Sequence, residues 1–435
     1  MSIDSPEGTA LRKVSRHLLP FLFALYIAAW LDRVNVGFAA LQMNGALQFS
    51  SAAFGLGSGI FFVGYCLFEV PSNFILHRVG ARRWIARIMV SWGVIASAMM
   101  FVRTPAQFYS MRFLLGVAEA GFFPGVIYYL SYWYPVHHRA RAIGAFMMAV
   151  PVASVLGGVL SGALLRLDGT LGLGGWQWLF LLEGIPSVLL GICAWNYLPD
   201  RPRDARWLTQ HEKGALIARL SSDEKAAREK LAVSPLASLG NPTVWHLGAI
   251  FLFANMGWYA YNIWSPQIIK SFLSAGDLTV GMISSAMGVA MMAAMRWNSA
   301  HSDRNGERPL HVAIPFGLMA CGLGVCALLA HSPAAIFALA LVPIGIGAAY
   351  GPFWSMPSAF LTGEAAAGGI AMVNTILSIG GFVGPVLLGR LKGQADDYAA
   401  GLLILSAVAA VAALLTLPLR RTVAVAGPQA VRTAE

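Results

Sequence analysis

Two short stretches place charged side chains where a chain has most reason to avoid them. In AAWLDRVNVGF, residues 28–38, Asp32 and Arg33 stand side by side in an apolar run. In RFLLGVAEAGFFPGVIYYLSYWYP, residues 112–135, Arg112 and Glu119 lie seven residues apart in another. A charge at a bilayer centre costs on the order of 2.5–3.5 kcal/mol on insertion scales, so such groups usually face a cavity and partner one another. Seven residues make two helical turns, which puts Arg112 and Glu119 on one face; neighbours such as Asp32 and Arg33 diverge by about 100°. Each helix thus brings one acid and one cation. With both acids ionised the four are neutral. With both protonated they carry two positive charges, and two guanidiniums are free to grip a carboxylate bidentately. Protonation and anion binding then favour each other reciprocally. The expectation is proton-linked movement of an organic anion, with Asp32 and Glu119 carrying protons and Arg33 and Arg112 binding the carboxylate. The alternative is a buried ion network that only locks the two helices together.

The elements that hold these residues follow from composition. Of 435 residues, 57% are hydrophobic and 11% charged, against about 25% charged in a soluble domain. Twelve apolar runs of about 20 residues match the thickness of a bilayer core. They are continuous rather than alternating, which predicts helices and not barrel strands. The expected layout is an N-tail 1–17, a six-helix half 18–198, a linker 199–243, a second six-helix half 244–418 and a C-tail 419–435. The first run follows Arg12, Lys13 and Arg16, but is too long for a signal peptide and is read as a retained span. Lys and Arg concentrate on one side of this layout, 23 of 30, which predicts both termini cytoplasmic and a bacterial inner-membrane location. The net charge of +10 is therefore a topology signal, and no nucleic-acid partner is expected. The chain is expected to be a monomer.

Further motifs bear on gating and on the pocket. HRVGAR (77–82) and DRNGER (303–308) occupy the same loop of each half. They predict a conformation-setting electrostatic role for Arg78, Arg82, Asp303, Arg304 and Arg308, with a basic topology signal as the plainer reading. Glu69 and Glu183 are read as interface or gating partners. The seventh run, FANMGWYAYNIWSPQIIK, offers Tyr261 and Asn262 to the pocket among packing aromatics. The tenth, VPIGIGAAYGPFWSMPSAF, offers Tyr350, Trp354 and Ser355, and its Gly351-Pro352 and Pro357 predict a break. The linker carries a capping box, Thr209 with Glu212, and its mixed charges predict a solvated segment. Cys66, Cys193, Cys321 and Cys326 lie in apolar runs and are read as small core residues. His137 and His138 are read as surface residues. No nucleotide loop, zinc motif or catalytic triad is found, so neither an enzyme, a metal nor a cofactor is expected beyond protons as coupling ion.

WLDRVNVGFA, RFLLGVAEAGFFPG, HSDRNGER and GGFVGP together resemble the anion:cation symporter family of the major facilitator superfamily over nearly the whole chain. The resemblance implies twelve helices in two pseudo-symmetric halves, alternating access and, in bacterial members, proton coupling. It implies substrate and proton roles for Asp32, Arg33, Arg112 and Glu119, and substrate contact for Tyr65 and Asn374. The chain departs from the family pattern at His77, where an Asp is usual and for which Glu69 is a substitute, and at Trp30, where sugar-acid carriers tend to have Tyr. A hydroxylated or aromatic carboxylate is the expected cargo. Proton-driven efflux is the alternative, weakened by Val150 where efflux antiporters carry the Gly of a Gly-Pro motif; a non-transporting membrane sensor is a further one.

Overall fold

A computed structural model describes residues 5–229, 240–330, 332–356, 363–395 and 397–420. Among these the chain is helical with no strand. The first half comprises α1 (Pro6–Ala46), α2 (Ser51–Val79), α3 (Ala81–Ala98), α4 (Pro105–Glu119), α5 (Phe122–Ser131), α6 (Val136–Met147), α7 (Ala149–Leu164) and α8 (Gly175–Tyr197). A linker helix α9 (Gln210–Glu229) follows. The second half comprises α10 (Pro242–Leu273), α11 (Asp277–Asn305), α12 (Leu310–Leu328), α13 (Ala335–Ser355), α14 (Gly363–Ala395) and α15 (Ala399–Thr416). Within the first half α2 packs on α4 and α3 on α8. Within the second α10 packs on α14 and α12 on both α13 and α15.

Eleven of the described spans are long and apolar enough to cross a membrane. They include α4–α5 and α6–α7 as two interrupted spans, expected as the single helices 106–132 and 140–165. The exception to the expected twelve is α10. Its 32 residues suffice in length, but Asn255, Asn262, Ser265 and its Trp and Tyr side chains lower its hydropathy. Apart from the half-buried Asn262 and the exposed Trp245, these groups are buried among α1, α14 and α15, so the helix need not be apolar all round. Large apolar side chains such as Phe101, Trp297 and Phe337, 67–81% exposed, stud the outside of the bundle, as lipid contact requires. Cys193 and Cys321 are exposed there rather than in the core, Cys66 is half-buried, and Cys326 is buried. The protein is a multi-pass membrane protein.

The halves meet through α2 with α14, α7 with α11 and α1 with α10. These contacts cluster at the end opposite the N-terminus. Backbones touch there: a Cβ on Gly37 would stand 2.8 Å from Ile263 O, and Gly158 lies directly against Gly281. Polar groups reinforce the seam. Gln42 donates to Asp277 Oδ2 at 2.9 Å, and Ser285 Oγ accepts from Val159 N at 2.9 Å. On the N-terminal side of the centre, Asn374 Nδ2 donates across the halves to Glu69 Oε1 at 2.7 Å. The halves are thus clasped at the far end.

The linker is not simply solvated. Its capping box forms, with Thr209 N on Glu212 Oε2 at 2.8 Å and Glu212 N on Thr209 Oγ1 at 3.3 Å. Lys13 Nζ pairs with Glu212 Oε1 at 2.8 Å, and Trp207 stacks on His17 with ring centroids 4.5 Å apart. Leu216 is fully buried. The mixed charges conceal this docking because most of them point outward while one apolar edge and one acid face α1. Lys13, with help from the Thr209 amide, holds the Glu212 carboxyl below its usual range. That contribution is present above the ordinary Glu value and is lost as pH falls through the depressed one. Glu212→Ala removes a cap partner and the counter-ion of Lys13, worth about 1–2 kcal/mol. Tryptic cleavage after Lys213 and Arg219 is therefore expected to accelerate by roughly 5- to 30-fold, measured by the time course of limited proteolysis.

Candidate functional site

Arg33 leaves α1 toward α4, where its Nε and Nη2 both engage Glu119 Oε1. Its guanidinium lies over the Tyr65 ring at 5.3 Å and near Trp30 at 5.7 Å. Arg112 is only 2% exposed. It gives Nη2 to Ser58 O at 3.3 Å, lies over Phe61 at 5.0 Å, and its Nε has no partner. Glu119 Oε2 is likewise buried without one. Two cations and one acid thus share this region, a net positive charge inside an apolar bundle.

Why Glu119 points here follows from a break just beyond it. Ala120 is extended and Gly121 has φ +85°, a left-handed conformation that favours glycine. The freed Ala120 carbonyl accepts from Ser72 Oγ at 2.6 Å, and Ser72 Oγ accepts from Trp84 Nε1 at 3.0 Å. The fourth span therefore ends one helix at Glu119 and starts another at Phe122. The expected break at Gly351-Pro352 does not occur: α13 continues through Pro352 to Ser355. Pro357 lies outside the described residues.

Asp32 does not join the other three. It faces α8, where Ser187 Oγ donates to its Oδ2 at 2.8 Å, and Asn35 Nδ2 is 3.4 Å from Oδ1. The reason is the 100° step between neighbours on a helix: the long Arg33 side chain reaches α4 while the short Asp32 side chain is committed to the other side of α1.

A cavity lies between the halves on the Arg33 side. Tyr65 and Asn374 line it as the resemblance implies, and so does Trp354. The sequence reading missed Tyr26, Phe62, Phe123, Met147, Tyr259 and Ser378. Tyr26 had a signal, since it precedes Arg33 by seven residues and so shares its face. Tyr259 had none beyond belonging to the aromatic cluster of α10. Tyr350, one turn from Trp354, also lines the cavity. Ser355 turns back to Pro352 O at 2.7 Å. Tyr261 and Asn262 sit in a separate small space nearer the far end, beside Trp258 and Ser265, and Asn262 also lines a small void with Arg33 and Arg112. There Tyr261 Oη meets Met287 Sδ at 3.4 Å, and Asn262 Nδ2 donates to Trp258 O at 2.9 Å. The central cavity has about 50 Å³ of free space, room for about two waters at roughly 30 Å³ each. Side chains must move apart to admit a larger solute.

The expected gating residues do not form one cluster. Glu69 stands at the inter-half seam on Asn374, with its Oε2 unpartnered. Arg82 ties the α2–α3 turn to Asp200 by its amide at 3.1 Å and its side chain at 3.5 Å. Arg308 pairs with Asp303 at 2.6 Å and donates to Ser302 Oγ at 3.0 Å. Arg78 and Arg304 are exposed. The His77 side chain lies outside the described residues. Among the described residues no group of side chains could hold a metal ion.

Residues 22–385 match the family model of the Major Facilitator Superfamily. The chain belongs to the Major Facilitator Superfamily. A putative tartrate transporter of Agrobacterium vitis is 48% identical over 416 residues, 96% of each chain. A quinolone resistance transporter of Acinetobacter baumannii is 40% identical over 410 residues, 94% of each chain. Among solved structures, an inward-facing, unoccupied bacterial homologue of the human lysosomal transporter Spinster superposes with TM-score 0.76. It is 19% identical and covers 96% of this chain and 98% of that one, a likeness of fold. As a Major Facilitator Superfamily member the chain is a carrier and not an enzyme, in agreement with the motif resemblance. For this carrier, Gly121→Ala would strain the backbone by about 1–2 kcal/mol and push a Cβ against Ser72 Oγ. A lower thermal unfolding temperature is expected in purified protein, whereas Gly144→Ala, at an open helical site, should raise it slightly, because alanine loses less backbone freedom on folding.

Proposed function

We propose that this carrier imports a small organic anion, a hydroxylated or aromatic carboxylate, together with protons, by alternating access in a bacterial inner membrane. Both termini would be cytoplasmic. The observation that carries the reading is the state of Arg33 at the central cavity and of Arg112 behind it, at a small void that both guanidiniums line. One guanidinium has a lone backbone carbonyl for an acceptor, and the other is held by a single carboxylate. An incoming carboxylate competes with Glu119 for Arg33. Protonating Glu119 removes that competition, so anion and proton bind cooperatively. The hydroxyls and rings of Tyr26, Tyr65, Tyr259 and Tyr350 around the cavity suit a cargo with hydroxyl or aromatic groups. The tartrate-transporter relative supports the same cargo class.

The quinolone resistance relative favours a second reading, efflux of an aromatic acid by proton exchange. Reconstituted liposomes separate the two. With an inward proton gradient, labelled tartrate or another carboxylate from a panel is expected to accumulate inside, and a protonophore to abolish the accumulation. Loss of cargo from the lumen against its own gradient would select efflux, and absence of flux with every acid would select a sensor. Arg33→Ala should weaken anion binding by roughly tenfold to hundredfold, the worth of charge-assisted hydrogen bonds at about 1.5–3 kcal/mol, as read by titration calorimetry.

A further inference from the structure

Behind α1, away from the cavity, lies a second buried acidic site. Asp32 is 1% exposed and Glu183 3%. Both face a pocket closed by α1, α3, α7 and α8. Ser187, one turn from Glu183 on α8, donates to Asp32 Oδ2 at 2.8 Å. Ser161 of α7 donates to Glu183 Oε1 at 2.8 Å. Asn35 lies beside both carboxyls, and the fully buried Trp92 of α3 stands against Asp32. Glu183 Oε2 is buried with no partner at all. The remaining charged group that reaches Asp32 is Glu119 of α4, itself committed to Arg33. No lysine, arginine or histidine faces either acid among the described residues.

Two carboxylates cannot both ionise in an apolar pocket that lacks a cation, because each charge penalises the other and neither is solvated. A shared proton resolves this, as in other paired buried acids. The unpartnered Glu183 Oε2 is the atom that a carboxylic O–H or an incoming proton would occupy. We propose that Asp32 and Glu183 form a second proton-holding site distinct from the anion site, so that α1 carries a further coupling proton, besides the one taken up at Glu119, on one face and the anion-binding Arg33 on the other. Binding adds one proton to the pair, and release returns it to water on the other side; no bond other than O–H forms or breaks. The inference rests on the proposed proton symport, and it assigns to Glu183 the role of positioning and sharing that proton. A shift of α1 when Arg33 takes up an anion moves Asp32 relative to Glu183, which links the two sites mechanically.

The test uses the full-length carrier in liposomes. Infrared difference spectra taken across a pH titration are expected to show a protonated-carboxyl stretch at neutral pH. It should survive Glu119→Gln and vanish in the double variant Asp32→Asn with Glu183→Gln. Ser161→Ala, which removes only a donor to the ionised form, should move its midpoint to higher pH. In the same vesicles, the ratio of gradient-driven tartrate accumulation to gradient-free tartrate exchange should fall roughly tenfold or more in Glu183→Gln. A band that persists in the double variant, or a ratio unchanged in Glu183→Gln, overturns the proposal. Wild-type accumulation that ignores the proton gradient would overturn symport instead, with the infrared result still deciding whether the pair holds a proton.

Discussion

A guanidinium in a membrane must have something to hold. Arg33 is the fixed charge around which the centre of this carrier is arranged: Glu119 engages it, and Trp30 and Tyr65 flank it. Leaving either partner alone would strand a charge in a medium where solvation is worth several kcal/mol per ion. In the proposed cycle a substrate carboxylate and Glu119 are alternative counter-ions for one cation, and a Glu119 displaced from Arg33 takes up a proton.

The surrounding architecture serves this centre by controlling helix direction and approach. The break at Ala120–Gly121 ends α4 at Glu119, and Ser72 and Trp84 satisfy the carbonyl that the break exposes. Glycine contacts such as Gly37 on Ile263 and Gly158 on Gly281 bring backbones together at the far end, and the absence of side chains there lets the seam part without unthreading knobs from holes. Glu69 with Asn374 is a polar latch at the middle. A hydrogen bond exchanged for water has a small net energy of about 0.5–1.5 kcal/mol.

Much of this was legible in the chain. Apolar runs of about 20 residues mark the spans because they match the thickness of a bilayer core, and buried charges announce themselves by type alone. The Arg112–Glu119 spacing places both on one face whatever the fold. What periodicity could not deliver was which neighbour each face would meet. Asp32 was grouped with Arg33, Arg112 and Glu119 by sequence adjacency, yet it turns to Ser187. Residues two apart on a helix differ by about 200°, so of Tyr259 and Tyr261 only one faces the cavity, and it is Tyr259. The α10 hydropathy deficit and the docked face of α9 escaped for a related reason. Some of their polar groups meet partners distant in sequence, as Glu212 meets Lys13 and Trp264 Nε1 donates to Pro385 O, while Asn255 and Asn262 turn back on their own helix.

The central claim is that anion binding and protonation are one coupled event at Arg33 and Glu119. Its most direct test is the proton count on binding: tartrate is added to purified carrier in weakly buffered solution, and the pH change is followed with an indicator. The account predicts proton uptake that saturates with the bound anion and shrinks in Glu119→Gln. Binding that leaves the pH unchanged, or uptake undiminished in that variant, would contradict it.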